Sequence, residues 1–400
     1  MPKGFFSESE YRSTKELLDK SVPYCGLCGL HKKCKNPKIK PAGKGKKKIL
    51  IVAEAPGEEE DRLKTHLSGP SGRLFRRTLR KYGIELYRDC WVTNAVICKR
   101  DENHQPSDEI IAACRPNLLA TIKKYSPKGI LLLGSVAMES LIPIIFKSPV
   151  DIINRWADFY IPCRDPNAWV AATYHPSFIL SDKSPVYKVE FKKHLKEFIK
   201  RSKNRPWKTI PDYEKQVEII FNPAQAAKEI KHIRKSGGVI SFDYESNCLK
   251  PSYEGAKIYS CSICWKGKKT IAFPWKREAI DATSLLLKSP IGKIAANIKF
   301  ENVWTKTLLG FWVKHWVHDT MLGAHVLNNS PKVSNLTFQS FVYLGMPCYD
   351  EHVRKYLKSR GADKLNRIKD LDMKDLLLYN GLDSLLEYKL AMIQMKLLGE

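Results

Sequence analysis

Nowhere along the 400 residues does an apolar run approach the roughly 18 that a membrane-crossing helix needs; "GILLLG" and "LIPIIF" fall far short. The opening "MPKGFFSESEYRSTKELLDK" lacks the apolar centre of a secretory leader, so a cytoplasmic chain with no membrane partner is expected. Acids are the scarce charge, with 42 Asp and Glu against 68 Lys and Arg, a net charge of +26. An imbalance of that sign points to a polyanionic partner, and nucleic acid is the commonest for such a chain. No internal repeat is visible. Hydrophobic and aromatic contents of 43% and 10% exclude disorder, and 400 residues exceed one ordinary core, so two domains are expected.

With no secretory leader expected, eleven cysteines argue against a disulfide framework and for metal ligation or packing. Cys261 and Cys264 form a C-x2-C inside "KIYSCSICWKGKKTIAF", which reads as two strands joined by a basic turn and offers no third ligand. Cys34, Cys90, Cys163, Cys248 and Cys348 are scattered and read as packing residues. Cys25 and Cys28 remain, in the tight loop "CGLCGL", with Cys98 and Cys114 further on. Two spaced pairs supply four thiolates to a zinc ion or to an iron–sulfur cluster, and spacing alone does not choose between these or core packing.

From Lys46 strands and helices alternate: "KKILIVAEA", "SGRLFRRTLRKYG", "DCWVTNAVI", "SDEIIAACRPNLLATIKKY", "KGILLLG", "SVAMESLIPII" and "WVAATYH". Such alternation predicts a parallel sheet covered by helices on both faces. The charged helix "PVYKVEFKKHLKEFIKRSK" closes this half, and "NRPWKTIPDYEKQ", polar with two prolines, suits a linker. The expected division is a first domain over 1–204, a linker over 205–212 and a second α/β domain over 213–400. In the second, a helix ("QAAKEIKHIRKSG") precedes a strand ("GVISFDYES") and a hairpin, and the remainder reads as mostly helical, which predicts a mixed sheet.

The stretch "ILIVAEAPGEEED" sets four consecutive acids behind a buried-looking strand and a Pro-Gly turn. Acids suit a helix start, where the dipole is positive. They also suit a site, because ligands of parallel sheets bind at the carboxyl ends of strands. Glu54, Glu60 and Asp61 lie at one such end, Asn94 in "VTNAV" at a second and His175 in "TYHPS" at a third. A carboxylate, an amide and an imidazole converging there could read a base edge and stabilise developing charge.

In this order, and with those four cysteines, "AEAPGEEED", "VTNAV", "LLLGSVA" and "TYHPS" resemble the iron–sulfur uracil-DNA glycosylases, family 4 of their superfamily. The resemblance spans roughly residues 20–200 and implies a glycosylase-like α/β/α sandwich. It implies a [4Fe-4S] cluster on Cys25, Cys28, Cys98 and Cys114, with Cys34 outside the pattern. It further implies that Asn94 pairs with a flipped uracil and that His175 faces its O2, with Glu54 or Glu60 placing water and stabilising the sugar cation. The chain departs from the family in three places: Ala53 stands where the motif starts with Gly, Leu67 where a Phe stacks the base, and the Arg after "HPS" is absent. Losing a stacking ring removes roughly 1–3 kcal/mol. A glycosylase-like half kept as a non-catalytic DNA-binding platform is therefore the alternative expectation.

In the second half "ISFDYES" sets Asp243 and Glu245 two apart on a strand, hence on one face. "YNGLDSLLEY" sets Tyr379 and Asp383 four apart on one helix face, and "ANIKFENVW" contributes Asn297 and Glu301. Carboxylates in a domain meant for an anionic polymer need cations, and two divalent ions can clamp the attacking and leaving oxygens of a phosphodiester. This half resembles the 3′–5′ proofreading exonuclease domain of A-family DNA polymerases, which implies a ribonuclease H-like fold. The resemblance implies Mg²⁺ or Mn²⁺ held by Asp243, Glu245, Glu301 and Asp383, with Tyr379 orienting water; Glu301 stands where that family has Asp. Asp319, in "VHDTML", is expected to be structural. The implied partner is DNA, as single strands or 3′ ends with uracil-containing DNA among them, together with a DNA polymerase domain or subunit. For a phage chain the compartment would be the host cytoplasm.

Overall fold

The computed structural model describes residues 27–100, 105–182, 184–359 and 365–399. It divides into two compact units, Met1–Ile210 with Gly345–Pro347 and Pro211–Leu344 with Cys348–Glu400. Cys25 lies outside the described residues. No helix among those residues is long and apolar enough to cross a membrane.

In the first unit the order is β1 (Ile49–Ala53), α1 (Glu58–Leu63), α2 (Pro70–Arg80), α3 (Leu86–Asp89), β2 (Cys90–Asn94), α4 (Asp108–Tyr125) and β3 (Gly129–Leu133). Then come α5 (Ser135–Phe146), α6 (Ile153–Trp156), β4 (Tyr160–Cys163), β5 (Ala168–Thr173), α7 (Pro176–Ser181) and α8 (Pro185–Arg201). The sheet runs β2-β1-β3-β5-β4, its first four strands parallel. The edge strand β4 pairs antiparallel with β5, so the sheet is parallel except at that edge. Every residue of β1 and β3 is buried, as befits strands covered on both faces. Phe75 of α2 and Phe191 of α8 meet on one face, ring centroids 6.4 Å apart, over Ile49 and Ile51. Of the stretch 205–212, Arg205 donates to the carbonyls of Ser126, Pro127 and Asn167, and the Trp207 indole to that of Pro162. The beginning of that stretch is thus tied to the first unit.

The second unit runs β6 (Val217–Ile219), α9 (Pro223–Ser236), β7 (Val239–Ser246), β8 (Ile258–Trp265), β9 (Lys269–Pro274), α10 (Arg277–Lys288) and β10 (Gly292–Ala295). It ends with α11 (Ile298–Leu309), β11 (Trp316–Asp319), α12 (Thr320–Leu327), α13 (Leu336–Leu344), α14 (Glu351–Leu357) and α15 (Met373–Leu398). The sheet is β11-β10-β7-β8-β9-β6, a ribonuclease H-like mixed sheet: β11, β10 and β7 are parallel, β8 opposes both β7 and β9, and β6 is parallel to β9.

Strand periodicity sorts β7 into two faces. Phe242 and Tyr244 enter the hydrophobic core, while Ser241 bonds to α15 from the other face. The long helix α15 seats against the sheet because the contact residues are small. Ser241 Oγ donates to the Ser384 carbonyl at 2.5 Å and Ser262 Oγ to that of Asn380 at 2.7 Å. A Cβ on Gly381 would come within 2.3 Å of Val217 Cγ1, so the helix fits this closely only with glycine there. The short distance brings the polar side chains of α15 against Asp243.

Candidate functional site

In the first unit, Glu54, Asn94 and His175 stand at the carboxyl ends of β1, β2 and β5. Ala53 and Asn94 are register partners, which fixes the height of the Asn94 amide beside the β1 turn. Gly134, at φ +89 just after β3, forms the floor: a Cβ there would lie 2.2 Å from Glu54 Oε1 and 3.0 Å from His175 Cβ. The strand ends therefore bring Glu54 and His175 over one residue that has no side chain. Burial raises the Glu54 pKa, against the Arg100 charge and the Val136 amide, which favour its ionised form.

His175 caps α7, its Nδ1 accepting from the Ser177 amide at 3.2 Å and facing the Ser177 hydroxyl at 2.7 Å. With Nδ1 accepting, the ring proton belongs on Nε2. Burial pushes the imidazole down to about 4, against the pull of Glu60, so the ring is neutral at physiological pH. A neutral imidazole with a free N–H is a hydrogen-bond donor toward a carbonyl oxygen.

The four consecutive acids separate into four tasks. Glu58 pairs with Lys99 at the surface, and Glu59 with Arg73 at 3.4 Å. Glu60 is buried and accepts from three amides, Gly57 at 3.1 Å, Ser68 at 2.8 Å and Gly69 at 2.9 Å. Asp61 accepts the amides of Lys35 and Asn36 at 2.9 and 2.7 Å, anchoring the segment that follows Cys34. Glu54 thus keeps more freedom toward a ligand than Glu60 does.

Two residues of this unit escape the sequence reading. His66 is fully buried, with Nε2 2.9 Å from the Lys40 carbonyl and Nδ1 3.2 Å from Asn94 Nδ2. The carbonyl calls for the proton on Nε2, so Nδ1 accepts from the Asn94 amide and holds its orientation. Cys34, left outside the thiol pattern, hydrogen-bonds the Cys98 thiol, and Cys28 acts on the same thiol electrostatically. Burial pushes Cys98 up to about 11, and both neighbouring thiols push the same way, while the Lys38 amide opposes them. Cys114 is buried on α4. Cys28, Cys34 and Cys98 make a thiol-rich corner that suits a thiophilic group better than a hard cation. Leu67, at the family's base-stacking position, is packed into the core with φ +50. Cys261 and Cys264 are wholly buried strand residues of β8.

In the second unit Asp243, Glu245 and Asp383 each bring a carboxylate oxygen within 4.8 Å of the others, an all-oxygen set suited to a hard divalent cation. Asn380 Nδ2 donates to Asp243 Oδ2 at 2.6 Å. Tyr349 and Tyr379 both hydrogen-bond Asp383, their rings 6.0 Å apart. Burial, with lesser repulsion from Asp350, raises Asp383 to about 7 against those two hydrogen bonds. Burial and mutual repulsion raise Asp243 and Glu245 as well. Carboxylates crowded in this way ionise together only when a cation offsets them.

Glu301, in the first turn of α11, is buried and acts on Asp243 electrostatically but stands outside the trio. Asn297, with φ +65, caps α11, and Asp319 accepts four amides, those of Asn297, Ile298, Met321 and Leu322, which gives it the structural task expected. Tyr349, Asn380 and Glu387 were not read from the sequence as site residues. Glu387 had a signal, since Tyr379, Asp383 and Glu387 follow at helical spacing on one face of α15. Tyr349, in the loop before α14, had none.

The first unit thus sets a carboxylate, an amide and an imidazole at the carboxyl edge of a parallel sheet, and the second gathers three carboxylates on a mixed sheet. Residues 41–200 match the uracil DNA glycosylase superfamily, and the chain belongs to that superfamily. The type-4 uracil-DNA glycosylase of Thermotoga maritima is 31% identical over 171 residues, covering 42% of this chain and 84% of that protein. A DNA polymerase of Bacillus phage SP01 is 24% identical over 315 residues; the match takes in 73% of this chain but only 34% of the polymerase. Among solved structures, Escherichia coli RNase D, an exoribonuclease involved in structured RNA processing, aligns with a TM-score of 0.35 and 15% identity over 46% of each chain. The chain joins a glycosylase-like unit to a second, mixed-sheet unit and is similar to a phage DNA polymerase over 315 residues.

Proposed function

We propose that the second unit is a metal-dependent 3′–5′ DNA exonuclease. The observation that carries this reading is the meeting of Asp243, Glu245 and Asp383 within 4.8 Å, with Tyr379 bonded to Asp383. Mg²⁺ or Mn²⁺ held by these three, with Glu301 beside Asp243, would polarise the scissile phosphate and supply a nucleophile from bound water. Tyr379 orients the attacking water, and Asn380 holds Asp243 in its ligating rotamer. Fluorescent single-stranded DNA labelled at its 5′ end tests the reading. Stepwise shortening from the 3′ end with Mg²⁺ or Mn²⁺, abolished by EDTA, is expected. Equal digestion by the Asp243→Ala protein would sink the assignment.

The first unit is proposed as a uracil-DNA glycosylase-type domain. Asn94, oriented by His66, would pair with an extruded uracil, and neutral His175 would donate from Nε2 to its O2. Glu54 is the acid proposed for the sugar side, because both oxygens of Glu60 are taken by amides. Cys25, Cys28, Cys98 and Cys114 would hold a [4Fe-4S] cluster; the likeness to type-4 uracil-DNA glycosylases is what supports this. The packing of Leu67 into the core favours a second reading, in which this unit binds DNA without excising uracil and tethers the nuclease, or a polymerase, to its substrate. Uracil release measured in EDTA separates the two, since glycosidic cleavage here needs no divalent ion.

A further inference from the structure

Three crowded carboxylates repel a DNA strand as well as each other, so the phosphates beside the scissile one need cations that the trio does not provide. Two arginines against α14 stand where such charge is wanted. Tyr349, whose phenol donates to Asp383, is followed by Asp350, the residue that caps the start of α14. Asp350 in turn fixes Arg354 one turn further on. Arg354 Nε donates to Oδ2 at 3.1 Å, and Nη2 to Oδ1 and Oδ2 at 2.9 and 2.8 Å. Nη2 also reaches Cys348 Sγ at 3.7 Å. One edge of the guanidinium is thus occupied, while Nη1 has no partner among the described residues and the side chain is 42% exposed.

Arg367 reaches the same helix from the Glu245 side. Its amide donates to the Tyr356 carbonyl at 2.8 Å and its Nη2 to the Lys355 carbonyl at 3.3 Å. Its guanidinium lies 5.7 Å from the centre of the Tyr356 ring. Beside it, the Asn366 amide donates to the Asn247 carbonyl at 2.7 Å, and Asn366 Nδ2 to that of Ser246 at 3.0 Å. Ser246 and Asn247 directly follow Glu245 on the chain. Arg367 is exposed, and its Nε and Nη1 have no partner among the described residues. A helix ion pair accounts for Asp350 and Arg354 alone. It does not account for a second guanidinium brought to the same helix by hydrogen bonds from the end of β7.

We propose that Arg354 and Arg367 form a phosphate-binding rim that takes the internucleotide phosphates immediately 5′ to the scissile bond. The unpartnered N–H groups of both guanidinium groups are the donors, and charge-assisted bonds from arginine to phosphate are strong and directional. This inference rests on the exonuclease reading of the trio. It adds to that reading how an acidic pocket keeps hold of an anionic strand.

Steady-state hydrolysis of 5′-labelled single-stranded DNA by the full chain in Mg²⁺ tests the proposal. Oligonucleotides carrying one uncharged methylphosphonate, at the first or the second phosphate 5′ to the scissile bond, are compared with all-phosphate DNA. For the parent, neutralising a phosphate that the rim holds should raise KM about tenfold with little change in kcat. Arg354→Gln and Arg367→Gln should each raise KM on all-phosphate DNA by a similar factor and lower its salt slope by about one. For each variant, the methylphosphonate at the phosphate its arginine holds should then raise KM no further. Variants with the parent's KM, or methylphosphonates that penalise the variants as much as the parent at both positions, would overturn the inference and leave the exonuclease reading intact. Parent protein that shortens no DNA in Mg²⁺ would overturn that reading and the inference with it. Should Arg354→Gln not fold, as judged by circular dichroism, Arg367→Gln carries the same comparison, because that exposed side chain bonds only one carbonyl.

Discussion

At the residue scale, Asp243 and Tyr379 differ in what their loss removes. Asp243→Ala takes a ligand from the metal site, so 3′-end hydrolysis should fall by about 10³-fold or more. Tyr379→Phe removes one of two tyrosine hydrogen bonds to Asp383, with Tyr349 still in place, and should cost less than the ~10²-fold of a lost proton-transfer group. A larger loss from Tyr379→Phe than from Asp243→Ala, in a gel assay of shortened products, would reverse these roles. Asp383 also makes stability depend on pH. Its pKa in the folded chain is raised from 3.8 to about 7, so between those values the folded state holds more protons than the unfolded one. Metal-free protein should therefore lose thermal stability as pH rises from ~4 to ~7. Asp383→Asn should flatten that slope, and Mn²⁺ added at the upper pH should restore the midpoint. A calorimetric scan in EDTA showing the same slope for both proteins would remove Asp383 as its source. The trio was legible in the sequence because strand and helix periodicities announce faces. Asn380 and Tyr349 were not, since their contacts depend on how closely α15 approaches β7.

At the element scale, that approach hangs on Gly381. Alanine at an exposed helix position would gain up to about 1 kcal/mol over glycine. Here its Cβ would meet Val217 Cγ1 at 2.3 Å and Ala272 Cβ at 3.3 Å, so overpacking of about 1–3 kcal/mol opposes the gain. Gly381→Ala should be destabilised by about 1 kcal/mol overall and slower as a nuclease, because Asp383 lies two residues on. Urea unfolding at or above the parent's midpoint, with full activity, would show that β6 simply yields. The same element explains what the sequence concealed. The strands β7 to β9 and most helices of both units were readable from periodicity and turn residues. The strands β4, β6, β10 and β11 were not, being three or four residues long. Too short to show alternation, "GKIA" and "WVHD" passed as parts of a helical tail, though they extend the sheet and set the starts of α11 and α12.

At the scale of the whole molecule, the charge of +26 and the acidic site pull in opposite directions. Phosphates are drawn to the basic surface without sequence preference, whereas a 3′ end enters the carboxylate pocket only alongside cations. Binding and cutting should therefore separate. Affinity for single-stranded DNA in EDTA, read by fluorescence anisotropy, should fall by about two to three orders of magnitude between ~50 and ~200 mM salt, as counterion release from some six phosphates requires. Asp243→Ala should bind with the parent's salt slope while failing to cut, because the substitution leaves the basic surface unchanged. A flat salt dependence would mean that the lysines and arginines lie on surfaces away from the nucleic acid. A slope altered by Asp243→Ala would mean that the metal site itself carries the attraction, and the separation of binding from cutting would be lost.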